Sequence, residues 1–283
     1  ANKLFERVGW SIKKIQDEMN QNLRPLNFQL GALNFEANIN IEPVIKKGAN
    51  VVGEIRSRNR EFRDEYIVIG AHFDHIGMGG PGSGSRKPET DQIHPGADDN
   101  ASGTAGLLEL AQKLSANVNQ LKRSVLLVGF DAEEKGLLGS KHFIEHSPIE
   151  IKNIATMINM DMIGRMSDSS FTVGGVGTSP SFKHLLDSLK QGRFFNLTMN
   201  KPGFGPSDHA SFYTKDIPVL FFFSGVHDDY HTPNDTWHLI NLRGEKHILD
   251  FIYDVVLNLA RTPDKPAFQE SGPKTSQMGS PKK

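Results

Sequence analysis

Five short segments of this chain gather histidine and carboxylate side chains. They are His72-Phe73-Asp74-His75, Asp98-Asp99-Asn100, Asp131-Ala132-Glu133-Glu134, Asp161, and Asp228-Asp229-Tyr230-His231. Each has an ordinary structural use when taken alone. An Asp ahead of a helix caps it, adjacent glutamates begin a solvated helix, and a His after a strand more often packs than ligates. Convergence changes that balance. Two unit charges about 4 Å apart repel by roughly 4 kcal/mol at an effective dielectric of 20. A fold that brings Asp98, Glu133, Glu134 and Asp161 together therefore needs a cation among them. Two histidines beside four carboxylates suit zinc or a similar borderline metal better than calcium or magnesium.

The elements between these segments say whether they can converge. Continuous apolar runs at Ser124 to Phe130, Ile154 to Met160 and Ile217 to Phe223 read as strands covered on both faces. Val51 to Ile55 and Tyr66 to Ala71 read as two further strands around a charged turn. Helical spacing appears over residues 3 to 20, Ala101 to Leu114, Gly136 to Glu145, Ser181 to Gln191 and Leu242 to Arg261. In Ala101 to Leu114, Ala105, Leu108 and Ala111 share one face, with Leu107, Leu110 and Leu114 beside it. A weak alternation runs from Ala37 to Val44, and Met78 to Pro95, rich in Gly, Pro and Ser, reads as a loop. Alternating strands and helices predict an α/β fold, a mixed, mostly parallel central sheet with helices on both faces. Sites in such folds lie at the carboxyl ends of the strands, and all five segments fall there or in adjoining loops.

Composition narrows the functional classes. With 283 residues and 37% apolar content, the chain can bury a core, which excludes wholesale disorder. It carries 32 basic and 33 acidic residues, so charge gives no case for a nucleic-acid partner or an anionic membrane. No apolar run approaches the roughly 20 residues of a membrane span. With no cysteine, disulfides, thiolate metal sites and cysteine nucleophiles are excluded. Glycines 79, 80, 82 and 84 form neither a P-loop nor a dinucleotide fingerprint.

The segments AHFDH, GADDNASG, DAEEKGLLGS, NMDMIG and YHTPNDT resemble, in order, the five metal-site motifs of the M28 metallopeptidases, co-catalytic di-zinc aminopeptidases and their relatives. The resemblance covers about residues 50 to 261 and implies the zinc-dependent exopeptidase fold. It implies two zinc ions per chain, one held by His72 and Asp161, the other by Glu134 and His231, with Asp98 bridging. Two cations roughly 3.5–4 Å apart do need one short bridging carboxylate and terminal ligands on each side. The resemblance makes Glu133 the general base, which takes a proton from the attacking water and returns it to the leaving amine. It makes Tyr230 a donor to the substrate carbonyl oxygen. It gives Asp74 the free nitrogen of His72 as partner and Asp99 a cis peptide link after the bridging residue; Asp235 in HTPNDT is expected to orient the His231 segment, a role that turn stabilisation does not exclude.

Other residues draw weaker expectations. Asp208 and His209 in SDHASF shape the substrate pocket, although a helix cap also explains Ser207 and Asp208. Some aminopeptidases of the family carry Arg just before this Ser-Asp pair; here it is Pro206. His75 is expected outside the ligand set and His94 on an exposed loop. Phe194, Phe195 and Phe204 are candidates for a hydrophobic specificity pocket, with core packing as the competing use. Residues 1–49 form a helix and flank, a remnant beside a protease-associated domain; 50–261 form the catalytic domain; 262–283 form a disordered tail. A chain that opens on Ala1 without a signal-peptide layout is expected to be a mature or trimmed form. The resemblance implies a peptide substrate and an exported bacterial protein, periplasmic or extracellular. Aminopeptidase action leads. A carboxypeptidase or dipeptidase is the first alternative, ahead of a glutaminyl cyclase, which uses one zinc, and an inactive binding module, which would have lost ligands.

Overall fold

The computed structural model describes residues 2–31, 36, 38–43, 45–89 and 91–275. The chain divides into two compact units, Ala1–Lys46 and Lys47–Lys283. The first holds two helices, α1 (Asn2–Glu6) and α2 (Ile12–Asn22), where one was expected. Gly9 takes a φ of 76°, and Ser11 starts the second helix by accepting the Lys14 N–H at 3.2 Å. The alternation expected over residues 37–44 gives no strand among its described residues; Ala37 and Val44 lie outside them.

The second unit is built on a seven-stranded sheet. Its strands are β1 (Val51–Ile55), β2 (Tyr66–His72), β5 (Ser124–Phe130), β6 (Ile154–Met160), β7 (Ser170–Gly174), β8 (Asn196–Met199) and β9 (Val219–Phe223). A separate hairpin joins β3 (Gly77–Gly79) to β4 (Asp91–His94) inside the segment read as a loop. The sheet order is β1-β5-β2-β6-β9-β7-β8. β5, β2, β6 and β9 run parallel, while β1 and β7 each pair antiparallel with a neighbour. The strands flanking the charged turn, β1 and β2, are therefore not partners: β1 takes the outer edge of β5.

Period-two alternation explains why the central strands read as unbroken apolar runs. In β2, Ile67, Ile69 and Ala71 enter one core cluster while Tyr66 and Val68 enter the other. In β5, Val125 and Leu127 face the first, and Leu126, Val128 and Phe130 the second. The first core is closed by α3 (Gly103–Ala116) and α7 (Leu242–Arg261), which supplies Ile248, Phe251, Ile252, Val255, Val256 and Leu259. The second is closed by α4 (Leu138–Glu145) and α6 (His209–Tyr213), through Phe143, Ile144, Phe212 and Tyr213. α5 (Pro180–Leu189) adds Phe182 and Leu186 to the first. The inward stripe of α3 is Leu107, Leu110 and Leu114, and Leu108 points to solvent. Because β5 and β6 lie on opposite sides of β2, the chain reverses direction across the sheet there. His72 ends β2 at this switch point, where a crevice opens in such folds.

The tail expected to be disordered from residue 262 is ordered as far as residue 275; residues 276–283 lie outside the described residues. Phe268 packs on Tyr213 with ring centroids 5.8 Å apart. Tyr213 Oη accepts the Ser271 N–H at 2.9 Å and donates to the Gly272 carbonyl at 2.7 Å. The buried Arg123 guanidinium pairs with Glu65 at 2.7 Å and donates to the carbonyls of Leu259, Thr262 and Pro263. These anchors are single residues in polar sequence, so periodicity does not reveal them.

Candidate metal centre

One group of donors lies deep in the sheet. His72, 1% exposed, is the last residue of β2, and Asp161 follows β6 next to it. The Asp161 N–H continues the ladder to the Phe222 carbonyl at 3.2 Å. The His72 Nδ1 lies 3.1 Å from the Asp74 carbonyl oxygen, which leaves Nε2 3.5 Å from Asp161 Oδ1 and 3.4 Å from Asp99 Oδ1.

A second group sits further out and comes from loops. Glu134 lies on the turn after β5, and His231 on the long connection after β9. His231 Nε2 is 3.1 Å from Asp99 Oδ2 and 3.3 Å from Glu134 Oε2. Its Nδ1 donates to the Gly84 carbonyl at 2.9 Å. His75, expected outside the ligand set, turns inward, with Nδ1 2.9 Å from Glu134 Oε1 and 3.8 Å from Asp99 Oδ2. Gly96 permits this, since a β-carbon there would stand 2.6 Å from His75 Cγ. One donor atom from each of His72, Asp99 and Asp161 lies within 4.8 Å of the others, and the same holds for His75, Asp99 and Glu134.

The carboxylate shared by the two groups is Asp99, not Asp98. Asp98 points away: its Oδ1 accepts the Gly164 N–H at 2.7 Å and the Ser102 hydroxyl at 3.0 Å, and its Oδ2 faces His227 at 3.2 Å. The cis peptide falls one residue later than expected, between Asp99 and Asn100. Adjacent identical residues carry no signal of which one turns inward. Asn100 ties the turn to the end of β6, donating to the Met160 carbonyl at 3.0 Å and accepting the Met162 N–H at 3.1 Å.

Two further aspartates act on backbone N–H groups. The Asp74 carboxylate stands 3.7 Å from His72 Nδ1 and instead accepts the N–H groups of Glu133 at 2.9 Å and Glu134 at 3.2 Å. Asp235 Oδ2 accepts those of Asp98 at 2.9 Å and Asp99 at 3.1 Å, so its carboxylate steadies that turn. Each thus fixes the backbone of one carboxylate pair. Arg165 supplies positive charge behind Asp235, 2.8 Å from Asp229 and 3.9 Å from Asp235 Oδ1.

The electrostatics are those of a site short of positive charge. Burial opposes the charged form of His72, but Asp161, Asp74 and Asp99 together outweigh it and raise the imidazole well above its ordinary value. Burial likewise opposes His231, yet Asp99 and Glu134 raise it to about 10. Glu134 is drawn down to about 2 against burial by His231 and His75, and Asp99 falls further still. Glu133 hydrogen-bonds no histidine among the described residues, and the pull of His72 does not offset its burial. Burial pushes it up to about 9, with Asp161, Asp208 and Glu134 adding to the rise. Asp99 Oδ2, Glu134 Oε1 and both ring nitrogens of His75 are buried without a well-formed hydrogen bond. The raised His72 and His231 mark where a metal cation would supply the missing positive charge, and the donor set fits zinc.

A cavity of about 120 Å³ opens onto Asp99, Glu133, Glu134 and Asp161. Its far wall is apolar, made by Met162, Pro206, Phe221, Phe223 and Val226. The phenylalanines expected there lie elsewhere: Phe195 packs on Phe171 and Phe251, Phe194 meets His247, and Phe204 lines a different cavity. Tyr230 faces the same space as His231 and stacks on it at 3.8 Å; burial and then the surrounding carboxylates raise its hydroxyl, so it keeps its proton as a donor. Asp208 is fully buried, and burial pushes it up to about 7. His209 stacks on the cavity residue Phe221 at 4.4 Å, and burial lowers it to about 3. Neither lines the cavity itself.

A crevice at the switch point of a mostly parallel sheet, lined by two histidine–carboxylate groups with a common aspartate, defines a hydrolase-type metal centre. The sequence model of peptidase family M28 matches residues 50–256, and the chain belongs to that family. It is 26% identical over 228 residues to aminopeptidase YwaD of Bacillus subtilis (strain 168), covering 77% of this chain and 46% of that protein. It is 29% identical over 161 residues to leupeptin-inactivating enzyme 1 of Streptomyces exfoliatus, covering 56% and 33%. Among solved structures, the aminopeptidase of Aneurinibacillus sp. strain AM-1 superposes with a TM-score of 0.61 at 28% identity, over 78% of this chain and 50% of that one. The zinc aminopeptidase of Bacillus subtilis gives 0.61 at 26%, over 78% and 53%. The chain spans about half the length of these two solved chains and of YwaD.

Proposed function

We propose that this chain is a di-zinc aminopeptidase. The observation that carries the reading is Asp99, whose Oδ1 faces His72 and whose Oδ2 faces His231. His72 and Asp161 would hold one ion, Glu134 and His231 the other, and Asp99 would bridge them. Bound there, two zinc ions would supply Lewis acidity toward the scissile carbonyl and acidify the attacking water. Glu133 takes the water's proton and passes it to the leaving amine. Positive charge among its neighbouring carboxylates would lower Glu133 from the value to which burial raises it, toward that of a base at neutral pH. The Tyr230 hydroxyl donates to the carbonyl oxygen.

The choice of the amino end rests on charge. The described lining residues of the cavity include no lysine or arginine that could hold a substrate carboxylate, as a carboxypeptidase needs. The test is mass-spectrometric product analysis of one peptide, with a free and with an acetylated N-terminus, in the presence of zinc. Stepwise loss from the free N-terminus alone is expected. Trimming of both peptides from the C-terminus would replace this reading with a carboxypeptidase.

A further inference from the structure

His231 is a ligand candidate without a strand to place it. It lies on a long loop and adopts a φ of 56°, in the left-handed region that non-glycine residues seldom occupy. Its support comes from the tip of the β3–β4 hairpin. The His231 Nδ1 donates to the Gly84 carbonyl at 2.9 Å, and the His231 carbonyl accepts the Arg86 N–H at 3.0 Å. Side chain and backbone are thus both held by a tip rich in glycine and serine, which needs its own fastening.

We propose that His94 is a positioning residue for His231, acting with Ser85 as a lock on the hairpin tip. His94 is 3% exposed, at the end of β4. Its Nδ1 lies 3.0 Å from the Gln92 carbonyl, which can only accept, so Nδ1 carries the proton and Nε2 is the acceptor. The Ser85 Oγ accepts the Lys87 N–H at 2.9 Å, so its own hydrogen is free to donate to His94 Nε2 at 2.8 Å. The ring lies over Gly79, where a β-carbon would stand 2.5 Å from His94 Cε1. Ser83 closes the rest of the tip, donating to the Gly80 carbonyl at 2.7 Å and accepting the Ser85 N–H at 3.1 Å. Gly84, between the two serines, therefore presents its carbonyl in a fixed direction. That carbonyl holds a proton on His231 Nδ1 and turns Nε2 toward Asp99 and Glu134.

The inference rests on reading the site as a metal centre, and two readouts separate the failures. Ion-free wild type, H94L, S85A and H94Q are titrated with zinc by calorimetry. In wild type two ions bind. In H94L and S85A one ion weakens by about 10–100-fold, as when a ligand loses its hydrogen-bond partner, while the other is unchanged. H94Q, whose Oε1 can accept from Ser85, recovers most of the loss. Equal affinities in wild type and both disrupted variants, or equal weakening of both ions, overturn the lock. Amide exchange at Arg86 reads the lock with no ion present: protected in wild type and H94Q, and at least about tenfold faster in H94L and S85A. Unchanged protection overturns the inference. A wild type that binds fewer than two ions defeats the di-metal reading and leaves the exchange result to decide the lock. S85A keeps the test decisive should H94L not fold.

Discussion

The two halves of the candidate centre are built by different means. His72 and Asp161 continue neighbouring strands, and the β2–β6 ladder and the Asp161–Phe222 hydrogen bond place them. Glu134 and His231 sit on turns beyond the sheet and are placed by hydrogen bonds to other loops: the Glu134 N–H donates to Asp74 and the His231 ring to the Gly84 carbonyl. The deep half inherits its geometry from the core. The outer half depends on a chain of polar contacts, each of which one substitution can remove. Loop changes should therefore disturb the outer donor pair more than the deep one.

The largest effect tests whether either half works without the base between them. E133Q should lower turnover by roughly 10²–10⁴-fold while both ions remain bound, measured by peptide hydrolysis beside metal analysis of the same sample. Retained turnover would remove Glu133 from the mechanism.

The next pair separates the halves. D74N loosens the Glu133–Glu134 backbone and should weaken the outer ion alone, by about 10–100-fold. D235A removes the acceptor of the Asp98 and Asp99 N–H groups, loosens Asp99 and should weaken both by a similar factor. Zinc titration distinguishes the patterns, and identical behaviour of the two variants would erase the contrast.

The smallest effect lies behind the cavity. His209 is lowered to about 3 in the folded chain against an ordinary value of 6.5. Between these values the unfolded chain binds a proton that the folded chain refuses. The stability His209 contributes is therefore complete above about pH 6.5 and declines as pH falls toward 3. In H209F, which keeps an aromatic ring against Phe221, the melting temperature of ion-free protein should fall less between pH 6.5 and 4.5 than in wild type. Parallel curves would contradict this.

The comparison also explains what the sequence showed. The central strands were legible because burial on both faces makes unbroken apolar runs, and α7 because its inward stripe recurs at helical spacing. β7 and β8, short and near the sheet edge, carry little pattern. At the site, the residue types of His72, Glu133, Glu134, Asp161 and His231 and their placement at strand ends or in adjoining loops were readable, and the structure brings them near one another. Which of Asp98 and Asp99 turns inward was not, because that choice depends on the path of the turn and on its contacts with Gly164 and Ser102. Nor was the support from Gly84 and His94, since a backbone carbonyl leaves no mark on residue identity. His94 read as an exposed loop residue because its burial comes from a hairpin without hydrophobic period.

The central claim is that one carboxylate, Asp99, belongs to both halves. Zinc stoichiometry and affinity of ion-free wild type, D99N and D98N test it most directly. Two ions are expected in wild type, weakening of both in D99N, and two ions at near wild-type affinity in D98N. Two tightly held ions in D99N, with loss in D98N, would contradict it.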